Sequence, residues 1–94
     1  MRNSSQILNQ HYMQTDEQKE TTIKWLCERF SLSPSEILGY NSGICYSRIW
    51  VNSREAAMKV HDKVKGRVVN GGMFDGMPLG SICEGHDGRF DVTC

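Results

Sequence analysis

Ile23, Leu26, Cys27 and Phe30 recur at intervals of three and four, with Lys19, Glu20, Lys24 and Glu28 in the positions between them. That period predicts a helix with one buried stripe and a solvated back, and Trp25 falls off the stripe. Thr15 followed three residues later by Gln18 is a capping box, with Asp16 and Glu17 where a helix N-terminus favours negative charge, so the helix starts here. Ser33, Pro34, Ser35 and Glu36 repeat the start signal and predict a short helix that Gly39 ends, with Asn41, Ser42 and Gly43 as a turn. From Ile44 to Val51 the period changes to two: Ile44, Tyr46, Arg48 and Trp50 alternate with Cys45, Ser47, Ile49 and Val51, which predicts a strand. Ser53 then opens a second helix that Gly66 closes. Ala57, Val60 and Val64 form its inner face, Glu55 and Lys59 sit at the i,i+4 spacing, and Lys63 and Lys65 complement its C-terminal end.

The remaining third is rich in glycine. Asn70, Gly71 and Gly72 predict a turn between the run Arg67–Val69 and the apolar pair Met73 and Phe74, and Gly76, Met77 and Pro78 make a further bend before an extended run from Leu79 to Ile82. Ser81–Glu84 and Arg89–Thr93 flank Gly85, His86, Asp87 and Gly88 and read as a hairpin. Near the start, Ile7, Leu8, Tyr12 and Met13 suit a strand or a helical turn, and Gln6–Met13 is kept as a candidate edge strand. These elements predict a single α+β domain over residues 1–94, a two-layer sandwich in which an antiparallel sheet of three to five strands carries two main helices on one face.

Ninety-four residues bury only about 60–65% of the unfolded surface, which argues against a large internal active-site cavity. Eleven basic residues balance eleven acidic ones, yet the net charge is −1 over residues 1–42, +4 over 43–70 and −3 over 71–94. A neutral total weighs against a dedicated nucleic-acid binder while leaving room for a local basic face. No run approaches the roughly 18 apolar residues that cross a bilayer, and the N-terminus is polar where a signal peptide is apolar, so the expectation is a cytoplasmic protein with no membrane partner. Cys27, Cys45, Cys83 and Cys94 show no close-spaced pairs and are read as reduced thiols.

Candidate chemistry is sparse. Cys83, His86 and Cys94 lack the two close-spaced ligand pairs of structural zinc sites, so no metal is assigned. The glycines at 71, 72 and 76 are followed by no Gly-Lys-Ser/Thr and open no helix, so they are no phosphate loop. No nucleophile motif accompanies the histidines, and His61 lies at the edge of an apolar helix face. No catalytic residue and no cofactor is expected.

Tyr46, Arg48 and Val51, then Ser53–Ala57, then Val64–Arg67, and finally Phe74–Leu79 follow one another in an order that resembles the second half of an RNA-recognition-motif domain. The resemblance runs from Gly43 to Ile82 and covers about forty of the ninety-four residues. It implies a ferredoxin-like four-stranded sheet backed by two helices, whose exposed aromatics stack on single-stranded bases. The family's strand carries two aromatics separated by one residue; here Tyr46 is followed by Arg48, with Trp50 one step further. A second resemblance, to a helix-turn-helix rhythm, runs from Leu26 through Phe30, Leu32, Ser33 and Pro34 to Ile37, but the positions a recognition helix would expose are Ser35, Glu36, Gly39, Tyr40 and Asn41, without Arg or Lys.

The strongest candidate for function is the partner-binding set Tyr46, Arg48, Trp50, Arg54, Lys59, Lys63, Lys65 and Arg67. If Ile49 and Val51 point to the helices, Trp50 and Tyr46 point to the sheet face away from them. An aromatic pair flanked by arginine anchors protein interfaces and also stacks on bases; a second layer or dimer partner over that face would equally account for it. The expectation is a small non-catalytic interaction module, monomeric or homodimeric. It is an inhibitor or adaptor, of the size common among phage and mobile-element regulators, that binds a protein of nucleic-acid metabolism. The alternative is a single-stranded RNA binder.

Overall fold

The computed structural model describes residues 15–43 and 45–94, so the candidate edge strand Gln6–Met13 lies outside the described residues. Helix α1 spans Asp16–Phe30 and starts as expected: the Thr15 hydroxyl accepts from the Gln18 N–H at 3.1 Å, and the Gln18 side chain accepts from the Thr15 N–H at 2.9 Å. Two of the orphan donors of a helix start are satisfied reciprocally. The cap at Ser33 also forms, with Glu36 Oε1 accepting the Ser33 N–H at 2.9 Å, but it opens only a 3₁₀ turn, Pro34–Glu36.

From there the structure departs from the expected short helix. Ile37–Ser42 is strand β1, and Gly39 does not end a helix. Proline supports a first helical turn and nothing beyond it, whereas Ile37, Leu38 and Tyr40 suit a pleated surface and glycine is costly in a helix interior. The pairing register slips between Ile37 and Gly39, a bulge that leaves Leu38 exposed and that glycine accommodates. The same segment therefore supplies no recognition helix. Strand β2 is Ser47–Val51, shorter than the expected Ile44–Val51, because Ser42 at the end of β1 already pairs antiparallel with Ser47 and the chain has reversed direction before β2 begins. The Gly43 N–H donates to the Tyr46 carbonyl at 3.0 Å, and a Cβ at Gly43 would collide with that oxygen. Ile44 lies outside the described residues.

Helix α2, Arg54–Val64, is capped by the Ser53 hydroxyl on the Ala56 N–H, and Ala56, Ala57, Val60 and Val64 are fully buried. Strands β3, Ile82–Glu84, and β4, Phe90–Thr93, form the expected C-terminal hairpin. The sheet is antiparallel and open, in the order β1-β2-β4-β3. The strands before and after α2 consequently run parallel with β4 between them. Ile49 and Val51 of β2 and Phe90 and Val92 of β4 face Leu26 and Phe30 of α1 and the buried stripe of α2, in one core that also takes Leu32. Both helices therefore lie on one face of the sheet, and the α+β two-layer arrangement is established. Between α2 and β3 the chain forms an arm: Val69 and Met77 bond at 2.8 Å, Leu79 and Arg67 at 2.9 Å, and Val68 bridges Pro78. Leu79 belongs to this arm, and the sheet strand begins only at Ile82.

Candidate interaction surfaces

Alternation along β2 sends Arg48 and Trp50 to the sheet face away from the helices, as the register of Ile49 and Val51 requires. Across the ladder, Trp50 lies opposite Gly39 on one side and Asp91 on the other, and Arg48 opposite Asn41 and Thr93. The face is less open than expected. Trp50 and Arg48 are half-buried, Thr93 is buried, and Arg48 Nε and Asn41 Oδ1 are buried with no hydrogen-bond partner. Such orphaned atoms are rare and costly. Tyr46 precedes the strand and does not share its pleat; its ring packs edge-on against Phe74, centroids 6.0 Å apart at 84°.

The basic residues expected to act together are dispersed. Arg54 pairs with Glu84 at 3.0 Å and stands over the Phe90 ring at 5.2 Å. Lys59 reaches Glu36 at 3.8 Å rather than the expected Glu55, and Lys65 lies 3.9 Å from Asp62. Lys63 and Arg67 converge elsewhere, on an open groove of about 370 Å³ that they line with Trp25, Glu28 and Arg29 of α1. Arg48 lies on the far side of the sheet from all of these.

Two other surfaces stand out, the second of which takes in Lys63 and Arg67 of the expected set. The first is the tip of the arm, residues 70–76. Asp75 Oδ1 accepts the Gly71 N–H at 2.7 Å, the Gly76 N–H donates to Val69 at 2.8 Å and the Met77 N–H to Phe74 at 2.9 Å, so the tip is internally bonded. Gly72 has φ +75°, and a Cβ there would stand 2.8 Å from Cys45 Sγ, so a glycine lets the tip lie against the β1–β2 turn. Met73 is 92% exposed, Val68 55% and Phe74 48%. The sequence signal was present: two large apolar residues enclosed by three glycines, an asparagine and an aspartate in a seven-residue loop. The second surface is the groove beside Trp25, which is 49% exposed and held edge-on to Tyr40, centroids 6.2 Å apart. Its signal was the position of Trp25 off the helical stripe.

Among the described residues no three histidines, cysteines or carboxylates are grouped to hold a metal. Cys83 and Cys94 project to opposite faces of the sheet by register, Cys83 opposite Asp91 and Cys94 two residues beyond the inward Val92. All four cysteines are free thiols. Among the described residues no helix is long and apolar enough to cross a membrane. No family model, no curated protein and no solved structure matches the chain.

Proposed function

We propose that this chain is a small non-catalytic interaction module, an inhibitor or adaptor whose anchor is the apolar tip formed by Met73 and Phe74 on Tyr46. The observation that carries this reading is the near-complete exposure of Met73 on a loop that its own hydrogen bonds hold in one shape. A large apolar side chain in water is a cost to the isolated protein and a gain on association, and an ordered loop loses little entropy when it docks. Methionine and phenylalanine suit an apolar pocket on a protein partner, with the half-buried Arg48 and Trp50 following Tyr46 along β2. The +4 segment from Gly43 to Asn70 and the −3 segment after it suit a partner of mixed charge such as a protein of nucleic-acid metabolism.

Burying Met73 and Phe74 is worth about 1.5–3 kcal/mol each. Met73→Asp should therefore weaken partner binding by at least about tenfold without changing the unfolding midpoint, since the side chain touches little of its own protein. Quantitative affinity capture with wild-type and Met73→Asp protein tests this. A partner recovered by the first and depleted with the second supports the reading; identical recovery with both rejects it.

A further inference from the structure

The groove between α1 and the end of α2 brings three cations together beside a tryptophan. Arg54, Lys59, Lys65 and Arg89 each lie within 4.0 Å of a carboxylate. Among the described residues Lys19, Lys24, Arg29, Arg48, Lys63 and Arg67 have no such partner, and three of them, Arg29, Lys63 and Arg67, line one groove with a half-exposed tryptophan, Arg29 also standing over the Phe30 ring at 5.2 Å. Trp25, Glu28 and Arg29 share a helix face at the i, i+3 and i+4 spacing. Lys63 sits in the last turn of α2, and Arg67 is set by its N–H bond to the Val64 carbonyl at 3.1 Å. Three cations against the one carboxylate of Glu28 leave an excess of two positive charges, close to a helix C-terminus whose own dipole offsets only about half a charge.

We propose that this groove binds a nucleotide unit, with the base against Trp25 and the phosphate among Arg29, Lys63 and Arg67. A purely acidic ligand would use the cations and leave the tryptophan idle, whereas a base has a flat face for the indole, and adenine, cytosine and guanine add an exocyclic amine that can donate to the Glu28 carboxylate. Base–aromatic stacking contributes about 1–3 kcal/mol per base, and the groove volume falls within the range of about 300–1,000 Å³ usual for small-ligand sites. The same chemistry is offered by a free mononucleotide and by one nucleotide of a single strand. This site lies on the helical side, apart from the arm tip, and does not depend on it.

Titration of wild-type protein with AMP, with a short single-stranded oligonucleotide, with inorganic phosphate and with a polyglutamate peptide, followed through the Trp25 indole N–H by ¹⁵N NMR, tests the proposal. Saturable shifts with AMP identify a free nucleotide as the ligand, and saturable shifts with the oligonucleotide alone identify a strand. In either case the double variant Lys63→Ala, Arg67→Ala should lose at least about tenfold in affinity while its circular dichroism stays wild-type. For a strand contacting three cations, affinity should fall about 20-fold between 50 and 200 mM salt, as counterion release requires. Silence of Trp25 to both AMP and oligonucleotide at millimolar concentration overturns the proposal. So does binding that the double variant retains, a phosphate response that leaves Trp25 unmoved, or a polyglutamate response as strong as that of the nucleotides. Met73→Asp should leave the titration unchanged, so failure here and failure of the docking tip are separable.

Discussion

Two titrating side chains report on their surroundings. The Ser33 backbone N–H bonded to Glu36, helped by Lys59 nearby, holds the Glu36 carboxyl below the usual carboxylate range against a smaller opposing desolvation. A depressed folded-state pKa means that Glu36 adds stability above its unfolded value and that the gain disappears as pH falls through the folded one. The difference in urea midpoint between wild type and Glu36→Ala should therefore be clear at neutral pH and shrink in acid; an equal difference in both would contradict the pairing. Cys94 shows the opposite environment. Burial pushes its thiol from 9.0 up to about 11, with Arg29 pulling weakly the other way. The neutral thiol is favoured by the fold, so this contribution is present below pH 9.0 and lost as pH climbs towards about 11. Exposed Cys83 should accordingly be alkylated first by iodoacetamide at mildly alkaline pH and Cys94 well behind it. Peptide mass spectrometry reads the order, and equal rates at the two sites would contradict it.

At the scale of elements, the two helices are fixed by caps and stripes that the sequence displays openly. Leu26 is fully buried between α1 and the sheet, so Leu26→Ala should cost about 2–5 kcal/mol in urea unfolding, against about 1 kcal/mol for Thr15→Ala at the exposed cap; a reversal of that order would contradict the packing. These features were legible because a helix declares itself through local periodicity and end signals. Strand β1 was not, since the capping residues at Ser33–Glu36 are shared by a 3₁₀ turn and a helix, and the choice is made by Ile49, Arg48 and Ser47 pairing with Tyr40, Asn41 and Ser42 across the chain reversal. The inward set Ile49 and Val51 was legible from alternation, while the half-buried state of Trp50 depends on what lies over that face. The arm was legible only as glycine-rich turns; that residues 67–69 bond to 77–79, and that Phe74 meets Tyr46, are long-range facts. Gly72→Val tests the arm as an element. Its positive φ and the 2.8 Å approach to Cys45 Sγ predict that the tip lifts from Tyr46 while the core stays folded, visible as loss of the Tyr46 and Phe74 ring contacts by NMR; retention of those contacts would contradict the geometry.

For the molecule as a whole, a formal net charge of zero conceals two surfaces with different physics. The arm tip is apolar, and binding through it should respond little to salt. The groove is cationic, and binding through it should weaken steeply with salt. The two helices form one side of the sandwich and leave the other side of the sheet to Arg48, Trp50 and Asp91, so a partner on the tip and a ligand in the groove need not compete. On the proposed function, the tip makes first contact with a protein partner. Site-specific photo-crosslinking reads that contact: Met73→p-benzoylphenylalanine should yield one dominant protein adduct, whereas the same group introduced at exposed Lys24 on the back of α1 should not. Adducts of equal yield and identity from both positions, or none from position 73 under conditions where position 24 reacts, would show that the tip is not the point of contact.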